Sequence, residues 1–183
     1  VKLILDTAQG WFKNYLAHGF MTGMRVGEIV ALKWENVNLE HREIYVCASK
    51  AKGIEGATKT ESSVRYIPIV DTLVPFIESQ KKLTGDKEYV FINQYGKSFY
   101  DYKNIGRHHW NVLLKECGIE HRRMYEMRHA CATNLLMSGR YSVNEIASVL
   151  GHMTPQMLFQ RYTRNISAER KPFDKSVDIY GIG

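Results

Sequence analysis

No stretch of this sequence approaches the ~18 consecutive apolar residues that a membrane-spanning helix needs. Its start, VKLILDTAQG, has neither the charged leader nor the cleavage signal of an export peptide. The expectation is a protein with no membrane partner. Cysteine is scarce: Cys47, Cys117 and Cys131 are an odd number in no ligand spacing. That pattern argues against a disulfide framework or a zinc site, and for a reduced, cytoplasmic setting in which the three thiols are small buried apolar residues. Internal repeats and low-complexity tracts are missing too, which sets solenoids and disordered linkers aside. An initiator Met is also missing, which suggests a domain cut from a longer protein.

What remains is a chain of 183 residues, long enough for one real core and so one domain with at most a small subdomain. Lys and Arg number 25 against 19 Asp and Glu, a net charge of +6. The excess suggests a polyanionic partner, with nucleic acid the first candidate.

Hydrophobic spacing reads as mostly helix. WFKNYLAHGF and RVGEIVALKW carry apolar residues at helical intervals, with Val26, Ile29 and Val30 on one stripe of the second and Thr22 placed to cap it. The period then changes to two in EIYVCAS (43–49) and VRYIPI (64–69), which read as half-buried antiparallel strands. The polar joint between them, KAKGIEGATKTESS, reads as a long mobile hairpin region with room for a short extra strand near Lys59. Helices are expected again at 71–83, 100–117, 124–138, 143–150 and 155–164, followed by an aperiodic tail after Pro172 that leaves the core.

Punctuation is clearest in the last third. SVNEIASVLG is a capping box, Ser142 with Glu145, followed by Val143, Ile146, Ala147 and Leu150 on one face and by Gly151 as a left-handed C-terminal residue. His152 therefore falls on a turn. Thr154 and Pro155 restart a helix on which Tyr162 lies about two turns along. In MYEMRHACATNLL, Met124, Met127, Cys131 and Leu135 mark the buried face, while Tyr125 and Arg128 share a neighbouring one.

Taken singly, each polar residue has a plain structural reading. Tyr162 would pack, Arg25 and Lys59 would be solvated, Glu28 would cap a first turn, and His152 would satisfy the carbonyls of the preceding helix. Tyr100, Tyr102, His108 and His109 read as ordinary helix surface in preference to the lining of a DNA groove. The joint order is what changes the weighing. TGMRVGEIVALKW, TKTESSVRYIPI, MYEMRHACATNLL and LGHMTPQMLFQRYTR, in that order over nearly the whole chain, resemble the catalytic domain of the tyrosine recombinases, the phage integrase family.

That resemblance implies a mainly α fold with a small antiparallel β-sheet. It also implies a site-specific DNA recombinase that cleaves and rejoins DNA through a 3′-phosphotyrosyl intermediate, integrating or excising a phage or other mobile element. The family's first arginine and the acidic residue three later match Arg25 and Glu28. Its hairpin lysine matches Lys59, its second arginine Arg128 with His129 beside it, its second histidine His152, and its nucleophile Tyr162. Tyr125 stands where the family usually has its first histidine.

The chemistry requires such residues. Attack on a phosphodiester builds negative charge on the non-bridging oxygens, and two guanidinium groups, Arg25 and Arg128, supply fixed bidentate donors there. The 5′ alkoxide leaving group needs a general acid, for which Lys59 is the candidate. A tyrosine hydroxyl of pKa ~10 is a weak nucleophile until neighbouring groups help remove its proton. His152 is assigned to the phosphate or to that transfer, and Tyr125 to donating a hydrogen bond.

No metal or nucleotide cofactor is called for. The resemblance further implies a catalytic domain over 1–171, a tail over 172–183 that docks on neighbouring protomers or is simply truncated, and an N-terminal DNA-binding domain outside this chain. Double-stranded DNA, a homo-tetramer on two sites, and accessory directionality or host DNA-bending proteins are the expected partners. A type IB topoisomerase-like enzyme and a catalytically impaired DNA-binding relic are the alternatives. Strand exchange between two sites separates the first, and failure to trap covalent DNA despite normal binding would favour the second.

Overall fold

A computed structural model describes residues 1–57 and 63–151. Lys59, His152, the expected 155–164 helix with Tyr162, and the expected 172–183 tail lie outside the described residues.

The chain opens with two helices, α1 (Lys2–Thr7) and α2 (Gly10–Thr22). The first has no counterpart in the periodicity reading. The second places Tyr15, Leu16 and Ala17 at the centre of the core, each fully buried. It ends at Gly23 in the left-handed conformation. Thr22 belongs to this ending and does not cap the next helix: its hydroxyl donates to the His18 carbonyl and accepts from the Met24 amide at 3.1 Å. The cap of α3 (Val26–Ala31) is Arg25. The predicted stripe on α3 is buried at Val26, Ile29 and Val30.

A three-stranded antiparallel sheet follows, built from β1 (Val37–Asn38), β2 (Glu43–Val46) and, after an interruption, β5 (Arg65–Pro68), in the order β1-β2-β5. The expected pairing of the two period-two runs is present, with Ile44 opposite Ile67 and Tyr45 opposite Tyr66. The isoleucines face the core while the tyrosine rings lie 4.8 Å apart on the other face.

The joint between the runs differs from the expected loop. Its first part is a separate hairpin of β3 (Ala48–Ala51) and β4 (Ile54–Ala57). Lys52 and Gly53, at φ 52° and 75°, make the two-residue turn whose twist suits such a ribbon. The joint does hold an extra strand near Lys59, since β4 ends two residues before it; its bounds carry little signal because Ile54 is its only large apolar residue, and that side chain is exposed. Strand β3 lies close against α3. A Cβ on Gly27 would stand 2.9 Å from the Lys50 carbonyl oxygen, so the packing requires glycine there.

Past the sheet, α4 (Val74–Thr84) packs on α2 through buried Asn14 and Gln80, whose side chains hydrogen-bond at 3.1 Å. The predicted 100–117 helix runs from α5 (Tyr102–Ile105) through a π-helical stretch (Gly106–Trp110) into α6 (Asn111–Glu116). Helix α7 (Glu126–Ser138) buries Met127 and Cys131 against α2, with Leu135 partly buried beyond them. The capping box of α8 (Val143–Leu150) forms as read, and Gly151 closes the helix at φ 64°. Of the three cysteines only Cys131 is buried. Cys47 and Cys117 are half-buried, so the expectation of three buried thiols holds for one. Among the described residues no helix is long and apolar enough to cross a membrane.

Candidate functional site

The site forms where four segments meet: the α2–α3 turn, the start of β5, the buried side of α7 and the C-terminus of α8. Glu28 lies at its centre, with a side chain only 1% exposed. Lying three residues into α3, its carboxylate turns back to accept from the Arg25 amide at 2.8 Å and from Arg25 Nη1 at 2.7 Å. The opposite side of the same carboxylate is held by an arginine to which the sequence reading gave no role. Arg65 donates from Nη2 at 2.9 Å and from Nη1 at 3.2 Å, with a side chain 5% exposed. Burial pushes the Glu28 carboxyl upward, but the bonds and charge of Arg65, and then of Arg25, outweigh it and hold the group below its ordinary range.

The end of α8 supplies the second focus. The last carbonyls of a helix have no partner within it, and here three successive ones are taken by three different arginines. Val149 O accepts from Arg65 Nε at 2.7 Å, Leu150 O from Arg128 Nη2, and Gly151 O from Arg25 Nη2 at 3.0 Å. Positive charge at this end also suits the helix dipole. Arg128 completes the set by donating from Nη1 to Gly23 O at 2.7 Å, which ties α7 to the turn before Arg25. Its Nε is buried and has no partner among the described residues. Burial, with the positive charge of Arg25 behind it, lowers the Arg128 pKa to about 10. Arg25 is the accessible member, with a side chain 34% exposed.

The structure thus brings together Arg25, Glu28 and Arg128 of the predicted set, and adds Arg65. A signal for Arg65 was present in the sequence. The alternation of VRYIPI puts it in phase with Ile67 and Ile69, and all three are buried. An arginine on the inward phase of a strand must be paired. Tyr125 and His129 sit one turn apart at the start of α7, their rings edge to face with centroids 4.9 Å apart. Tyr125 meets Arg128 through the main chain, where the Arg128 amide donates to the Tyr125 carbonyl at 3.1 Å.

Tyr125 also lines an open pocket of about 450 Å³ between the π-helical stretch and the segment before α7. Lys103, Arg107, Arg122 and Arg123 share that lining, all exposed, so the pocket is strongly positive. Tyr102 borders it, half-buried. His109 instead lays its ring 5.1 Å from Trp11, and Tyr100 and His108 are exposed surface.

The chain resembles known proteins over most of its length. Prophage integrase IntR of Escherichia coli strain K12 is 28% identical over 184 residues, covering 87% of this chain and 44% of its own length. A tyrosine recombinase XerC-like protein of Caldanaerobacter subterraneus subsp. tengcongensis is 27% identical, covering 93% of this chain and 50% of its own. The chain therefore spans about half the length of each relative. The Tn1549 transposon integrase, solved in complex with transposon right end DNA, has the same fold, with a TM-score of 0.77 at 20% identity over 91% of this chain and 62% of that one. The family model described as "Phage integrase family" matches residues 1–169, all four motif regions included, and the chain belongs to that family.

Proposed function

We propose that this chain is the catalytic part of a site-specific DNA recombinase that cleaves and rejoins double-stranded DNA. The observation that carries the reading is the convergence of Arg25 and Arg128, distant in sequence, on adjacent carbonyls at the end of α8, directly before His152. Family membership supports it, as does the positive pocket beside Tyr125, which suits a phosphate backbone flanking the cut.

In this reading Arg25 contacts a non-bridging oxygen of the scissile phosphate from its exposed side, and Arg128 contributes its Nε, which has no partner among the described residues. Tyr162 Oη attacks phosphorus while the bond to the 5′ oxygen breaks, its own proton passing to a base for which His152 is the candidate. Lys59 protonates that oxygen, leaving a 3′-phosphotyrosyl link and a 5′ hydroxyl. Attack by a 5′ hydroxyl from a second strand reverses the steps and restores the phosphodiester. His152 assists at the phosphate, and Tyr125 donates a hydrogen bond from the pocket wall with His129 packed against it. No redox or nucleotide chemistry enters the balance.

The assembly we infer is a tetramer on two DNA sites, working in the bacterial cytoplasm on phage or other mobile DNA. An N-terminal DNA-binding domain lies outside this chain, residues 1–171 form the catalytic unit, the 172–183 tail docks between protomers, and accessory directionality or DNA-bending proteins take part. The test is cleavage of a suicide substrate by the full-length protein. Arg25→Lys and Arg128→Lys should each slow adduct formation by ~10² or more, the expected loss of a preorganised donor to the transition-state charge. Rates near wild type for both would refute the assignment of the clamp.

A further inference from the structure

We propose that Arg65 is a positioning residue for the cleavage reaction: through Glu28 it sets the orientation of Arg25, and through Val149 it fixes the α8 terminus that leads to His152. The inference rests on the recombinase reading above. Its basis is the reach of one guanidinium. Arg65 spends four hydrogen bonds on three separate segments: two on Glu28, one on Val149 O at 2.7 Å, and one on Ser63 O at 2.9 Å. Those segments are the α3 turn that carries Arg25, the helix end that precedes His152, and the strand entry that follows Lys59 in sequence. No other described side chain bonds to all three.

Arg65 does not touch the reacting atoms in this scheme. It is buried behind Glu28, while Arg25 faces solvent. Its influence passes through the shared carboxylate, where Glu28 Oε1 accepts from Arg25 Nη1 and Arg65 Nη1 together. A lysine at this position keeps the charge but offers a point ammonium in place of a planar fork. It could not hold both carboxylate oxygens and the Val149 carbonyl at once. The Glu28 carboxylate would then turn, and Arg25 would turn with it. The close fit at Gly151, where a Cβ would lie 3.0 Å from Arg65 Cδ and Nη1, shows how tightly the guanidinium is seated.

The experiment uses the full-length recombinase in single-turnover cleavage of a suicide substrate, with DNA affinity measured alongside. Arg65→Lys should leave DNA affinity within about twofold while cleavage falls roughly tenfold or more. The same substitution in an Arg25→Lys background should cost clearly less than in the wild type, because the route through Arg25 is gone and only the hold on the α8 terminus remains. Glu28→Asp keeps the charge but shortens the reach, and should show the same pattern if Arg65→Lys fails to fold.

Wild-type cleavage by Arg65→Lys would overturn the proposal. An equal fold-loss in both backgrounds would also overturn it, since that is the signature of a merely structural residue. Absence of cleavage by the wild type on its own sites would overturn the recombinase reading, and this inference with it. That outcome is distinguished because it does not depend on any substitution.

Discussion

Replacing Glu28 by glutamine removes one charge and almost no volume, so the change isolates electrostatics at the centre of the site. The carboxylate accepts four hydrogen bonds, two from Arg25 and two from Arg65. Glutamine has a single acceptor oxygen, so its NH2 must point at one of the arginines, donor against donor. Arg65 is the costly loser, because its side chain is 5% exposed and water cannot readily replace the lost partner. Breaking a buried pair by removing one member typically costs 3–5 kcal/mol, and the two backbone carbonyls still bound to Arg65 place the expected loss at the lower end, about 3 kcal/mol.

In a chain of this size that corresponds to a fall in Tm of roughly 6–12 °C, readable by calorimetry or by urea titration at neutral pH. Because the folded Glu28 pKa lies below its ordinary 4.5, its contribution is fully present above pH 4.5 and is lost as pH falls through the folded value. The gap between wild type and Glu28→Gln should therefore narrow on acidification below pH 4.5. A loss under about 1 kcal/mol at pH 7, the range of a surface pair, would refute the view of Glu28 as the keystone of the arginine network.

Gly151→Ala should destabilise the chain by at least ~1–2 kcal/mol, the cost of a left-handed alanine, with more from the contact with Arg65; a neutral melt would mean the α8 terminus is not seated as described. Tyr125→Phe should slow cleavage by about 10- to 150-fold, the loss of one hydrogen bond to a charged group, and Tyr125→His should match or exceed the wild type in the same suicide-substrate assay. Equal rates for Tyr125→Phe and wild type would reduce Tyr125 to packing against His129, and a dead Tyr125→His beside an active Tyr125→Phe would shift attention to His121 or His129.

The elements with strong local signals were legible in the sequence. The capping box at Ser142 and Glu145, the stop at Gly151 and the pairing of β2 with β5 depend on neighbours a few residues apart or on strict alternation, and all are present. The bounds of the β3–β4 hairpin were not legible, because strands without a buried face carry no periodicity. Helix α1 is only six residues long, too short to establish a period, although it buries Ile4 and Leu5.

At the site, the motif order singled out Arg25, Glu28 and Arg128, which the fold brings together. What it could not convey was their mutual geometry, which depends on the orphan carbonyls of a distant helix end. Arg65 belongs to no motif position, and its strand VRYIPI reads first as apolar alternation. The charge at its inward position was the informative departure.

The central claim is that Tyr162 carries the covalent link to DNA. The most direct measurement is to trap the full-length protein on a suicide substrate bearing its own flanking sites, digest the adduct, and map the modified peptide by mass spectrometry. The account predicts a protease-sensitive adduct whose 3′-phosphate is attached to Tyr162, and a Tyr162→Phe variant that binds the same DNA with wild-type affinity but forms none. An adduct that persists in Tyr162→Phe, or wild-type protein that binds its sites and never becomes linked to them, would contradict it.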